Sequence, residues 1–490
     1  MSQKNNNQEQ VSSPEFLASR IKQLHRREFL RQGTLGIGSL ALSHLLNKEM
    51  RASTTSRPLL QPHFTPKAKR VIFLHMVGGP SQMDTFDPKP ELDKWDGRSL
   101  PEELTRGQKF AFVTPDARAI KSPYSFAPQG DSGIVMSELF PYLATVADEL
   151  TVIRSMKTNE INHGSGELFL HTGHGRFGRP TFGAWTSYGL GTENSDLPSY
   201  VVLKDQPPNS GPAGWGCGFL PSKHQGVLFR TGAEPLFYLE NPEGVSYEHR
   251  GDVIDTIGQL NNHAYDHYQD PEIQTRIAQY ELAYRMQTSV PELAGLKSEP
   301  EHVLDMYGLD QNGEGGKFAK NCLLARRLVE RGVRFVQVFN KGWDHHANIY
   351  GALPRQAKAV DQACAGLLTD LKQRGLLDDT LVIWGGEFGR TPMVQEHNAG
   401  TGEMTPPGRD HHKECFSIWM AGGGVKKGFT YGATDEFGFG VVENPMHVHD
   451  FHATCLRLLG IDHERMTYRH QGRDFRLTDV HGHVAHDIIA

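Results

Sequence analysis

The sequence lacks the short motifs that usually announce a chemistry. Cysteine is scarce: Cys217, Cys322, Cys364, Cys415 and Cys455 are scattered through 490 residues without CxxC spacing. That excludes an obligatory disulfide framework, and four of the five sit in apolar patterns as small core residues. HExxH is absent, and so is the G-x-S-x-G elbow, which removes zincin peptidases and elbow-type serine hydrolases. The glycines around Gly313–Lys317 lack phosphate-loop spacing, so nucleotide binding is not indicated. There is no cationic excess: 51 Lys and Arg against 57 Asp and Glu give a formal charge of −6, which offers no reason to expect nucleic acid. Internal repeats and heptads are missing. No apolar run is long enough for a transmembrane span, because the best one, Gln32–Leu46, is short and rich in Gly and Ser. With 38% hydrophobic and 22% charged residues, the chain reads as globular and able to bury a large core.

Histidine is what the sequence has instead. Its 25 copies are uneven, with pairs at His345/His346 and His411/His412 and a trio at His447, His449 and His452. Isolated copies such as His63, His224 and His302 read as structural or surface residues. Clusters beside carboxylates differ, because imidazole and carboxylate together suit zinc, manganese or iron(II).

The richest stretch runs from Arg334 to Pro392. Phe335–Phe339 and Leu381–Trp384 have the length and branching of buried strands. Between them Leu353, Ala357, Val360, Cys364, Leu367 and Leu371 mark one apolar helical face, and Gly375 fits the helix end. This is a βαβ crossover with parallel strands. Asp344, His345 and His346 follow the first strand and Glu387 the second, at the carboxyl ends where open parallel sheets bind ligands. Asp84 falls in the same position after a strand over Val71–Met76 and the turn Gly78-Gly79-Pro80-Ser81. Asp84, Asp344, His345, Glu387 and His411 thus come from four separate stretches, and hold an ion only if the fold gathers them.

Elsewhere the pattern predicts a helix over Ser137–Leu150, a strand over Thr151–Ser155, and a strand-to-helix turn at Asn162–Glu167. Ser165 in that turn is either an exposed hydroxyl or a helix-cap serine, the commoner case. Residues 205–330 read as a helical insertion packed on the sheet, in position to act as a lid, with Asp270-Pro271 starting a helix. Gln395–Arg409 reads as a long polar loop and Cys415–Ala421 as a strand. At the N-terminus, Arg26-Arg27-Glu28-Phe29-Leu30-Arg31 ahead of a weakly apolar run resembles a twin-arginine export signal over residues 1–52, followed by a linker over 53–69. The core is expected from residues 70–204 and 331–490.

The segments HMVGGPSQMDTFDPKP, NHGSGELFLHTGHGR, GWDHHANIYG, LVIWGGEFGRTP, GRDHHKECFSIWMAGGG and HVHDFHATCLRLLG closely resemble the domain-of-unknown-function 1501 (DUF1501) family, secreted bacterial proteins of the alkaline-phosphatase/sulfatase clan. The resemblance implies an α/β fold with a mixed, mostly parallel sheet between helices, and a metal-assisted phosphate- or sulfate-ester site at the strand ends. It places Glu387 at a metal-binding acid and Phe388 where a further ligand is expected, which a phenyl ring cannot supply. His163 falls at the nucleophile position and Ser165 two residues later. His411 or His412 resembles the clan's late histidine, reaching the site only if the next strand is antiparallel or the loop folds back.

Two readings follow. One is an exported metal-dependent hydrolase of phosphate or sulfate esters. In it Asp84, Asp344, His345 or His346, Glu387, and His411 or His412 hold a divalent ion, Ser165 or water attacks, and Arg390 with the Gly78–Ser81 backbone meets the oxyanion. The other is a non-catalytic periplasmic or surface protein that binds an anionic glycan or a partner protein through the same cleft.

Overall fold

The computed structural model describes residues 61–490, apart from 231–234, 237–239, 314 and 399. The export-signal reading over 1–52 and residues 53–60 of the expected linker lie outside the described residues.

Alternating apolar strands and amphipathic helices build one large mixed sheet. Its strands are β1 (Arg70–Val77), β2 (Leu150–Lys157), β3 (Tyr200–Lys204), β4 (Val227–Phe229), β5 (Phe335–Lys341), β6 (Thr380–Gly385), β9 (Phe416–Ala421), β10 (Phe429–Tyr431) and β11 (Met446–His447). A separate hairpin, β7 (Gly389–His397) with β8 (Met404–His412), stands between β6 and β9. The sheet order is β10-β2-β9-β6-β1-β5-β3-β4, with β11 also on β2. Only β9 runs against its neighbours β6 and β2; the other pairings are parallel. The expected parallel crossover is present, with β1 lying between β5 and β6.

Seven helices matter below: α1 (His163–Thr172), α2 (Phe182–Leu190), α3 (Tyr247–Tyr268), α4 (Pro271–Ala294), α5 (Lys317–Glu330), α6 (Ile349–Gln373) and α7 (Val448–Leu458). Strand alternation sends successive residues to opposite faces. Ile72, Leu74, Met76, Val336 and Val338 meet Cys322 and Leu328 of α5 and Leu353 and Leu367 of α6 in one core. Val71, Phe73, Phe335 and Phe339 meet Phe169 and Leu170 of α1, Phe182 and Trp185 of α2, and Phe451 and Leu456 of α7 in the other. Both faces of the sheet are therefore covered, as a mostly parallel sheet requires.

Three local expectations need correction. Ser137–Leu150 is not one helix. Ser137 ends a short strand, Ile134–Ser137, paired with Phe126–Gln129, and a 3-10 turn follows over Leu143–Glu149 with a kink at Val146. Gln395–Arg409 is the β7–β8 hairpin, not a loop. Its alternation is hidden by Pro406 and Pro407, where the register shifts between Met404 and Gly408. Residues 205–330 are not all helical: they supply the edge strand β4, while α5 packs directly on the sheet and α4 against α5. Asp270 does cap α4, accepting from Glu272 N–H. Among the described residues, no helix is long and apolar enough to cross a membrane.

Candidate metal centre

The carboxyl ends of β1, β5 and β6 form one rim, and β2 ends there too. The β7–β8 hairpin leaves the rim after β6 and returns to it, so β9 starts there and runs back down. This is why β9 is antiparallel and why a histidine preceding it reaches the site. The chain that follows β1 passes close to the one after β5. Gly78 has φ +122°, and a Cβ on it would lie 2.4 Å from the Asp344 nitrogen. No L side chain fits that approach. Gly78 N–H then donates to Glu387 Oε1 at 3.0 Å.

Four side chains converge: His163 from the first turn of α1, Asp344 and His346 from the segment after β5, and His411 from β8. One ligand atom from each lies within 4.8 Å of all the others. Asp344 Oδ1 is 3.1 Å from His163 Nε2, 3.0 Å from His346 Nε2 and 3.5 Å from His411 Nε2. His346 Nε2 and His411 Nε2 are 2.7 Å apart.

The far nitrogen of each ring decides what these near ones carry. His163 Nδ1 is 2.5 Å from Glu387 Oε1, His411 Nδ1 2.7 Å from the Ile161 carbonyl, and His346 Nδ1 2.7 Å from Gln395 Oε1. The Gln395 amide is oriented by its own Nε2, which donates to the His397 carbonyl at 3.2 Å. All three partners accept only, so each neutral ring carries its proton on Nδ1. With all three rings neutral, three bare Nε2 lone pairs therefore face one carboxylate oxygen. Buried His163 Nε2 has no hydrogen-bond partner, its approach to Asp344 being off-line. Electron pairs crowded in this way repel unless a cation lies among them. A proton relieves one such contact, whereas a divalent ion relieves them all. A histidine ligand whose other nitrogen donates to a carboxylate or carbonyl is also the usual arrangement around a bound metal. The donor set fits.

The electrostatics agree. Burial works to lower the His163 pKa, but the Asp344 and Glu387 carboxylates on its two sides win and raise it to about 9, so without an ion a proton on Nε2 stands where a cation would. Burial opposes the charge on Asp344, yet the His163, His346 and His411 rings against it and the Arg390 charge hold it well below the usual carboxylate range. Burial takes His411 down to about 4, so it is neutral at physiological pH. The Asp344 side chain keeps 43% of its exposure while Glu387 has none, so the centre opens to solvent on the Asp344 side. Phe388 walls the other side, its ring centroid 4.9 Å from His163 and 4.6 Å from His411. Phe112, 48% exposed, stands edge-on to His346 at 5.0 Å and forms the lip.

Several expected site residues have other roles. Asp84 is wholly buried in an ion pair with Arg409 (Oδ2 to Nε 2.8 Å), accepts from Ser81 Oγ at 2.6 Å, and is not one of the four clustered residues. His412 points to the opposite face of β8 from His411, and its Nε2 meets the Phe439 carbonyl. His345 is buried beside the cluster but outside it, kept neutral by burial with a pKa of about 4. Glu387 holds His163 rather than the ion. Ser165 is not the helix cap, which is Asn162; it is the third residue of α1, and its Oγ donates to the Asn162 carbonyl at 3.2 Å. Arg390 is fully buried and used up: it donates to the carbonyls of Gly78, Gly79 and Arg409 and to Asp344 Oδ1, so it positions Asp344 and cannot clamp an oxyanion. His163, given the nucleophile's place by resemblance, is instead one of the four clustered residues that could hold an ion. Gln395 and Ile161 were not anticipated; an amide and a carbonyl that orient rings leave no mark in a sequence.

A family model described as protein of unknown function (DUF1501) matches residues 68–489. The chain belongs to that family. Solved structures similar to this DUF1501 chain include the PsFucS1 sulfatase from Pseudoalteromonas sp., at 15% identity over 87% of this chain and 72% of that one, with a TM-score of 0.33. Another is the lipoteichoic acid synthase LtaP from Listeria monocytogenes, at 10% over 85% and 76%, TM-score 0.33. A third is the alkaline phosphatase from the Antarctic bacterium TAB5, at 10% over 77% and 96%, TM-score 0.30. No match was found among curated proteins.

Proposed function

We propose that this DUF1501 protein is an exported, metal-dependent hydrolase of phosphate or sulfate esters. The observation that carries it is the set of three histidine Nε2 atoms and one carboxylate oxygen within 4.8 Å of one another, with one open side. Three imidazoles and a carboxylate suit zinc, manganese or iron(II) better than magnesium or calcium. A divalent ion held there supplies Lewis acidity toward an ester oxygen and makes a nearby water more acidic.

The chain's own groups do the rest. Asp344 and Glu387 each bring one negative charge and Arg390 one positive, so a divalent ion leaves one net positive charge, which favours an anionic ester. The N-terminus of α1, where His163 is the first helical residue, adds a partial positive charge at the same point. Phe388 keeps water from the back of the ligand histidines, and Phe112 places an apolar ring where the non-anionic part of an ester would lie. Export rests on Arg26-Arg27 and the residues after them.

One observation favours the second reading, a binding protein without catalysis. Ser165 faces its own helix, and Arg390 and Arg409 are spent on internal partners, so no protein nucleophile or free guanidinium meets the ester. Elemental analysis of the purified protein, with aryl phosphate and aryl sulfate assays of wild type, Asp344→Ala and His346→Ala, separates the two. One equivalent of metal and an activity lost by at least a hundredfold in both variants is expected. Stoichiometric metal without turnover would leave the binding reading; no metal would remove both.

A further inference from the structure

The polar contacts do not stop at Glu387. His75, in mid-β1 and wholly buried, has its Nε2 3.1 Å from Glu387 Oε2 and its Nδ1 2.5 Å from His171 Nε2 of α1. Gln337 of β5 places its Nε2 3.3 Å from His171 Nδ1 and 3.2 Å from His171 Nε2. The Tyr200 hydroxyl of β3 donates to Gln337 Oε1. Alternation explains the line-up: His75, Gln337 and Tyr200 share the sheet face that carries Phe73, Phe335 and Phe339, and α1 lays His171 across it.

The direction of the chain is determined. Tyr200 O–H fixes the Gln337 oxygen, and Gln337 Nε2 donates to the Gly214 carbonyl at 3.2 Å, so the amide presents N–H to His171. His171 Nε2 is taken up by its short contact with His75, so the lone pair that accepts from Gln337 is Nδ1. His171 then donates from Nε2 to His75 Nδ1, and His75 donates from Nε2 to Glu387. Reversing the two histidines would set a bare nitrogen against the Glu387 carboxylate and an N–H against the Gln337 N–H. Neither contact survives in a buried site.

We propose that Gln337, His171 and His75 are positioning residues for the metal, a one-way run of hydrogen bonds that fixes the Glu387 carboxylate in place. Glu387 in turn holds the His163 proton on Nδ1 and leaves Nε2 free to bind. The proposal rests on the metal-centre reading above. With the run broken, His75 is free to turn away from Glu387, the carboxylate loses the contact that fixes its Oε2, and the His163 ring it holds no longer points Nε2 squarely at the centre.

His171→Leu and His171→Gln test this in the full protein, through zinc affinity by competition with a chromogenic chelator and thermal unfolding of the metal-free form. Leucine suits a site lined by Phe73 and Phe339, so a merely structural role predicts a stable variant with unchanged affinity. The relay predicts a stable variant that binds zinc about tenfold or more weakly, in the range seen for outer-shell substitutions. Glutamine passes the hydrogen bond on, its oxygen accepting from Gln337 and its N–H donating to His75, and should stay within about threefold of wild type. Should His171→Leu fail to fold, Gln337→Met removes the same donor and carries the same expectation. Leucine binding like wild type, or glutamine as weak as leucine, overturns the relay alone. Wild type that takes up no zinc, or His346→Ala that binds as wild type does, overturns the centre and the relay with it.

Discussion

At the scale of single residues, the centre shows how much depends on which neighbour reaches a side chain first. Asp84 and Asp344 look alike in sequence, each a few positions past a strand end. Arg409 takes Asp84, with both side chains fully buried, while Arg390 touches Asp344 on one oxygen and leaves it part-exposed. Asp84→Ala should therefore cost stability and not metal. Stranding a buried guanidinium costs about 3–5 kcal/mol, read as a lower denaturant midpoint, while the folded protein keeps one equivalent of zinc. The sequence offered the ligand types but not the choice among them. His345 and His346 are adjacent, as are His411 and His412, and only pleat and loop geometry decide which of each pair turns inward. The relay left a fainter sign: His75 and Gln337 are polar residues at inward positions of otherwise apolar strands, and such residues need partners.

Among the elements, the β7–β8 hairpin carries the most information and was the least legible. Its prolines and glycines hide the period-two pattern, and its pairing is antiparallel in a mostly parallel protein. The βαβ core between Arg334 and Pro392 was legible because long apolar periodicity is a strong signal. What brings His411 to His346 is a backbone contact: a Cβ on Gly408 of β8 would lie 2.1 Å from the His346 carbonyl. Backbone cannot give way as a flexible side chain can. Gly408→Ala is expected to push β8 outward, costing about 1–3 kcal/mol in folding and weakening zinc binding although residue 408 touches no metal. Unchanged affinity by chelator competition would detach the hairpin from the centre.

For the molecule as a whole, the buried histidines set an acid limit. Burial is the leading cause in each case: it lowers His224 and His452 to about 3 and His447 to about 4, and His171 well below its ordinary value. A histidine depressed in the folded state takes up its proton more readily in the unfolded chain. The unfolded state thus binds more protons below about pH 6.5, and stability falls as pH drops from there toward 4. Denaturant midpoints at fixed ionic strength should decline across that window, above the range where carboxylates titrate. A flat profile from pH 6.5 to 4.5 would contradict these assignments. The α/β layering was readable from apolar periodicity and the family resemblance. The mixed direction of the sheet came with that resemblance, but which strand is reversed was not readable, because β9 owes its direction to the hairpin before it.

His163, Asp344, His346 and His411 meet only when α1, the β5 rim and the returning hairpin are all in place, so an unfolded chain does not present this chelate. Any element that the centre takes up is then chosen from what surrounds the polypeptide as it acquires its shape.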